Sequence, residues 1–336
     1  MTAKRLALIG SNGMLARKVR ELAPNDYAVS NYDLPEFDLT DRAQVLAEMT
    51  RLQPAVIVNC AAFTNVDGCE SQEELATRVN GVGPGFLAEA AQAVGAILVH
   101  ISTDYVFSGD KGSPYTESDP TGPLSAYGRS KLAGEAAIVT SGLSRYFILR
   151  TSWLYGPGGK NFVETMLRLA AERDELRVVA DQIGSPTYTG DLAAAIYNLL
   201  EAVTRNALLV TGADSEPPVT RHASPILSHP SPVTDFASPV KDLFGLYHFS
   251  NLGECSWHDF AVAIISQARQ QGELLLAERV VPIATSDYPL PAPRPAYSVF
   301  AKKKYLQRTG ATIPRWQESL NLYLHERRHS SSKILP

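Results

Sequence analysis

Short unbroken apolar runs alternate with amphipathic stretches from the first residues of the chain. Lys4-Arg5-Leu6-Ala7-Leu8-Ile9 ends in four apolar residues and stops at Gly10, as a strand buried on both faces does. Met14, Leu15, Val19 and Leu22 then fall at helical spacing. A second strand is predicted around Tyr27–Asn31. After it comes a helix from Asp41 toward Leu52, with Thr40 as its cap and Pro54 as its stop. Ala55–Asn59 and Ile97–Ser102 read as two further buried strands.

Strand and helix alternate often enough to predict an α/β fold, a doubly wound parallel sheet of the Rossmann type, over residues 1–150. Residues 151–325 are assigned mainly to a smaller α/β lobe. Asp191-Leu192-Ala193 opens a helix that crosses back to the first domain over 191–200. Leu246–Ser250 is expected as a strand of the smaller lobe, and Cys255-Ser256-Trp257 begins a helix to about Gln270. Trp316, Leu320, Leu322 and Leu324 predict an amphipathic closing helix, with 326–336 left as a flexible tail. Residues 204–243 carry Pro217, Pro218, Pro225, Pro230, Pro232 and Pro239 among Ser, Thr and His. They read as a solvated insertion without regular structure.

The chemistry starts at Gly10-Ser11-Asn12-Gly13-Met14-Leu15-Ala16, between the first strand and the first helix. Gly10 permits a tight turn, Gly13 lets the backbone approach a pyrophosphate, and Ala16 lets helix and strand pack closely. Phosphate would sit on the helix N-terminus, where free N–H groups and the dipole favour an anion. Asp33, about 20 residues on, suits a ribose 2′-hydroxyl and would repel a 2′-phosphate, favouring NADH over NADPH. A solvent-facing loop residue is the other reading of Asp33. Asn59-Cys60-Ala61-Ala62 offers small side chains where an adenosine half can pass.

The strand Ile97–Ser102 delivers Thr103 at its C-terminal end, where ligands of open α/β sheets gather. Tyr127 and Lys131 are i and i+4, so a helix stacks them on one face. An ammonium there eases loss of the phenol proton, and the Thr103 hydroxyl can hold a carbonyl oxygen while Tyr127 protonates it. Taken alone, the Tyr127/Lys131 spacing fits an ordinary helix start, with a half-buried Tyr and a solvated Lys, better.

Together these stretches resemble the extended short-chain dehydrogenase/reductases, and within them the dTDP-4-dehydrorhamnose reductases. Asn59–Asp67, Ser102–Phe107, Tyr127–Glu135, Arg150–Gly156, Asp181–Thr187 and Arg294-Pro295 carry the likeness, which runs from about residue 3 to 325. The resemblance implies reduction of a dTDP-linked 4-keto-6-deoxy sugar at C4 by NADH or NADPH. It gives Thr103, Tyr127 and Lys131 as catalytic residues. It implies cofactor contacts from Gly10, Asn12, Gly13, Met14, Leu15, Asp33, Asp38, Leu39, Ala61, Ala62, Thr64, Tyr127 and Lys131. Substrate contacts fall to Val66, Asp104, Tyr105, Trp153 and Arg294, with Arg294 facing either the diphosphate or a structural salt bridge. Ser108 stands where the family usually has Asp, and Cys60 where it has a smaller residue. Some members form magnesium-bridged dimers through carboxylates that have no match here, so Mg2+ and the choice of monomer or homodimer stay open.

Two neighbouring activities fit less well. A 4,6-dehydratase needs Asp-Glu after the threonine, and here Thr103 is followed by Asp104 and Tyr105. A 4-epimerase lacks the Trp153 motif. A non-catalytic subunit like the β subunit of methionine adenosyltransferase diverges at Arg150–Gly156 and Asp181–Thr187, where this chain keeps the reductase form.

Composition narrows the setting. A net charge of -4 and a pI near 6.0 argue against binding nucleic acid. Cys60, Cys69 and Cys255 show no metal-ligand spacing and suit a reducing cytoplasm. No apolar run is long enough for a membrane span. No metal ligands are identified: His222 and His229 are too loosely spaced. Lys302-Lys303-Lys304 is read as a solvated helix face.

Overall fold

The computed structural model describes residues 3–212 and 241–331. Its main sheet begins with β1 (Lys4–Ile9), β2 (Tyr27–Tyr32), β3 (Val56–Asn59), β4 (Ile97–Thr103) and β5 (Tyr146–Thr151). The chain then lays down β6 (Leu154–Tyr155), β7 (Glu175–Val179), β8 (Ile183–Gly184) and β9 (Thr187–Tyr188) outside that sheet. It returns to the sheet with β10 (Gly245–His248). All six strands are parallel, in the order β2-β1-β3-β4-β5-β10. The direction of winding reverses between β1 and β3, the position outside which such sheets bind ligands.

Alternate strand residues serve opposite faces. Leu6, Leu8, Val58, Val99 and Leu149 share one core, and Ala7, Ile9, Ile57, Leu98 and Ile148 the other. Helix α1 (Met14–Glu21) covers the first face through Leu15 and Val19. On the second face lies α2 (Arg42–Leu52), through Val45 and Met49. After the short α3 (Val66–Ser71) and α4 (Glu73–Ala76), a π-helical segment Thr77–Val82 leads into α5 (Gly83–Val94). Leu87 and Ala88 of α5, with Ile138 of α6 (Ala126–Thr140), complete the second face.

The smaller lobe has its own core. It is built by α7 (Phe162–Glu172), α9 (Trp257–Gln270) and α11 (Trp316–Ser331) around Met166, Phe260, Ile264, Leu320 and Tyr323. Burying a side chain as large as Phe260 contributes roughly 1.5–3 kcal/mol. Between α7 and α9 the chain forms α8 (Thr189–Gly212), which returns to the main sheet and packs Leu192 and Ile196 beside α1. Tyr197 of α8 donates to the Val19 carbonyl at 2.7 Å. β11 (Cys255–Ser256) pairs with β8, β12 (Arg279–Ile283) pairs with β7, and α10 (Lys303–Thr309) precedes the last helix.

Several sequence expectations are corrected. Asp41, not Thr40, caps α2: its carboxylate accepts the Gln44 N–H, while the Thr40 hydroxyl turns to Asp38. Gly245–His248 joins the main sheet beside β5 rather than the smaller lobe. The stretch from Thr204 continues α8 as far as Gly212, and Lys241–Leu243 forms a 3-10 turn; the rest of 204–243 lies outside the described residues. The chain end is helical to Ser331, and Glu326 and Arg327 pair with Lys18 and Glu164. Lys302 is buried and Lys304 donates to the Leu246 carbonyl at 2.6 Å, so only Lys303 of that run is exposed.

Candidate active site

Gly10 ends β1 at φ +74, and a Cβ there would sit 2.6 Å from the Ala61 nitrogen. The turn therefore depends on glycine. α2, α3, α6, α7 and α9 each begin with a side chain accepting a first-turn N–H. α1 begins at Gly13 with no side-chain cap. Its first-turn donors thus suit an anion. Beside this turn lies a cavity of about 310 Å³ lined by Gly10, Asn12, Gly13, Asp33, Asp38, Leu39, Ala61 and Ala62, among others. The donor set and the cavity fit the adenosine and pyrophosphate of a dinucleotide.

Within that set the residues differ in what they do. The Asp33 carboxylate accepts the N–H groups of Asn12 at 2.7 Å and Leu34 at 2.9 Å, which ties the glycine turn to the end of β2. Met14 packs its thioether against Gly159 and Asn161. The Leu15 side chain is a core residue, so only its backbone faces the turn. Thr64 is exposed and does not line the cavity.

The reactive group stands at the C-terminal ends of β4 and β5. Ser125 caps α6 by accepting the Gly128 N–H at 3.1 Å. A side chain at Gly128 would run into the Tyr105 carbonyl, so the helix start fits tightly against the 3-10 turn Asp104–Val106. Tyr127, the second residue of α6, is half-buried beside the Thr103 side chain. Burial raises its pKa above the ordinary phenol value, and the neighbouring Thr103 side chain opposes that rise. Lys131 lies one turn further, 2% exposed, donating to the Ile101 carbonyl at 2.7 Å. Burial pushes its pKa down to about 8, against the pull of Glu135 and Cys60.

On the other side of Tyr127 is Tyr105, edge-on at 5.5 Å between ring centroids. Asp104 is buried. It accepts from the Thr103 hydroxyl at 3.0 Å, and burial raises its pKa to about 6 against hydrogen bonds from Ser298 and Thr103. Arg294 forms a two-pronged ion pair with Asp67 at 2.6 and 2.8 Å, and the Arg294 hydrogen bond holds the Asp67 pKa below the usual carboxylate range. Of the two readings of Arg294, the structure carries the salt bridge. Val66 begins α3, one residue before that pair, and is half-buried. Trp153 has φ +48 and stacks on Trp257 with centroids 3.5 Å apart.

Four contributors are not legible in the sequence. Trp257 backs Trp153, but nothing links residues 104 apart along the chain. Asn80 accepts the Phe63 N–H at 2.8 Å and donates to Phe63 O and Ser130 Oγ at 3.0 Å each, tying the loop after β3 to α6. It sits in the π-helical segment, a geometry common near functional sites. Tyr32 and Phe37 line the cavity as an edge-on pair. Among the described residues, no three or more His, Cys, Asp or Glu side chains converge as a metal site, and no helix is long and apolar enough to cross a membrane.

A doubly wound sheet, an uncapped glycine turn and a tyrosine–lysine helix beside a threonine define a nicotinamide-dependent oxidoreductase. A family model, the RmlD substrate binding domain, matches residues 4–213 and 231–329, and the chain belongs to that family. It is 39% identical over 329 residues to the dTDP-4-dehydrorhamnose reductase of Burkholderia thailandensis, covering 96% of this chain and 98% of that one. It is 38% identical over 325 residues to the spore coat polysaccharide biosynthesis protein SpsK of Bacillus subtilis, covering 96% and 98%. Among solved structures, the dTDP-4-dehydrorhamnose reductase of Bacillus anthracis in complex with NADP superposes with a TM-score of 0.78 at 38% identity, covering 97% of this chain and 100% of that one.

Proposed function

We propose that this protein reduces the C4 keto group of dTDP-4-dehydro-L-rhamnose with NADH or NADPH, giving dTDP-L-rhamnose. The observation that carries the reading is Tyr127 beside Thr103 at the end of β4, one helical turn from buried Lys131, in a chain 35–39% identical to several dTDP-4-dehydrorhamnose reductases.

The glycine turn and the cavity floor of Ala61 and Ala62 would hold the dinucleotide, which when bound supplies the hydride. Tyr127 gives its proton to the C4 oxygen as that oxygen gains negative charge. Thr103 keeps the oxygen within reach of the phenol. Lys131, in its charged form, stabilises the phenolate that Tyr127 leaves behind. Trp153, braced by Trp257, offers an indole face to the apolar side of the deoxysugar. Residues 1–150 would hold the cofactor and 151–325 chiefly the sugar nucleotide. The protein is taken to work in the cytoplasm as a monomer or homodimer, without nucleic acid. Incubation with NADH deuterated at the transferable position tests the reaction. Deuterium at C4 of a rhamnosyl product supports it, and label confined to the cofactor overturns it.

A further inference from the structure

β3 and β4 run side by side, with Asn59 at the end of β3 opposite His100 in the middle of β4 and both side chains buried. The Asn59 carboxamide has one allowed orientation. Its Oδ1 lies 3.1 Å from the Ala61 nitrogen, and a backbone N–H can only donate. Its Nδ2 therefore faces His100 Nδ1, 3.0 Å away. An amide nitrogen also only donates, so His100 Nδ1 accepts. A neutral imidazole carries one N–H, which leaves the His100 proton on Nε2. Burial and the neighbouring lysine keep His100 neutral, with its pKa well below the usual value. His100 Nε2 lies 3.4 Å from Lys131 Nζ.

An ammonium has three donors and no lone pair, so it cannot accept that proton; a neutral amine can. We propose that His100 is a positioning residue for Lys131, locked by Asn59 with its Nε2 proton toward the lysine, and that this sets how readily Lys131 gives up a proton. The other tautomer would do the opposite, because an Nε2 lone pair would accept from the ammonium. The groups acting on Lys131 from its surroundings are His100 and the Ile101 carbonyl on β4, Cys60 after β3, and Glu135 on its own helix. Glu135 favours the charged lysine, and His100 opposes it from the facing strand.

The consequence for turnover rests on the reductase reading, but the tautomer does not. Nitrogen NMR of 15N-histidine protein, with His100 assigned by its loss in His100→Gln, should show a protonated Nε2 and a bare Nδ1. Asn59→Asp presents a second acceptor to His100, so the two nitrogens should exchange roles. The alkaline limb of kcat/KM should then rise by about one pH unit, a tenfold change in proton affinity. In Asn59→Asp/His100→Leu the new charge remains but the imidazole is gone, and most of that rise should vanish. His100→Gln, whose amide again turns an N–H toward Lys131, should keep the limb in place. A native His100 protonated on Nδ1 would overturn the proposal. So would a limb that moves equally in the single and double variants. Absence of turnover with a protonated Nε2 would instead count against the substrate reading.

Discussion

Glu135 lies one turn past Lys131 and accepts both prongs of the Arg150 guanidinium, at 2.9 Å from Nε and 2.6 Å from Nη2. Ser102 donates to the same carboxylate at 2.5 Å. The side chains are 7% and 4% exposed. Glu135→Gln keeps the shape and removes the charge, which leaves the guanidinium buried without its counter-ion. Breaking one partner of such a pair costs about 3–5 kcal/mol, against about 0–1 kcal/mol for an exposed pair. Because glutamine can still accept one hydrogen bond, the expected loss lies near the lower end, about 3 kcal/mol. Arg168–Glu172 on α7 is the control: its 2.9 Å pair is 60% and 53% exposed, so Glu172→Gln should cost less than about 1 kcal/mol. Urea unfolding followed by circular dichroism measures both. A Glu135→Gln loss no larger than that of Glu172→Gln would refute the view that this pair anchors the tyrosine–lysine helix to β5.

Asp33→Ala should raise the NADPH-to-NADH ratio of kcat/KM about tenfold, by relieving roughly 1.4 kcal/mol of like-charge repulsion; an unchanged ratio would place Asp33 away from the ribose. Trp257→Ala should raise the KM for the sugar nucleotide about three- to tenfold with little change in kcat, the worth of a stacked aromatic pair of roughly 0.5–1.5 kcal/mol; kinetics like the parent would free Trp153 of its brace. Asp104 has its folded pKa raised from 3.8 to about 6, so it contributes stability at low pH that is lost as pH rises through 6. Asp104→Asn should flatten that fall and remove a limb near pH 6 from the rate profile. Profiles that keep both features would assign them to another group.

The reading from sequence succeeded where one element carries the whole signal. β1 and β3 are buried on both faces and end or run as unbroken apolar stretches, and β4 is interrupted only at His100 before its polar end. The placement of Thr103, Tyr127 and Lys131 is legible because a strand end and one helical turn fix it. Edges and long-range meetings were not. Gly245–His248 joins β5 from about 95 residues away along the chain, and its short apolar pattern says nothing about its partner. The Pro-, Ser- and Thr-rich composition suggests a break at Thr204, but the first proline comes only at Pro217, and α8 uses part of the difference. Lys302 and Lys304 carry charges that read as solvated, yet a lysine's apolar stem can bury while its head finds a partner, as Lys304 does at the Leu246 carbonyl. His100 did carry a signal, a polar residue in the middle of an apolar strand. Its meaning needed Asn59, which only the register of β3 against β4 supplies.

The central claim is that Tyr127 protonates a nucleotide-linked ketone as a nicotinamide reduces it. The direct test is loss of NADH absorbance on adding enzymatically made dTDP-4-dehydrorhamnose, with and without magnesium, for the parent protein and Tyr127→Phe. The account predicts substrate-dependent oxidation by the parent and none by Tyr127→Phe, while both bind NADH equally. A folded parent protein that binds NADH yet leaves it unoxidised would contradict the account, as would a Tyr127→Phe variant that turns over at the parent rate.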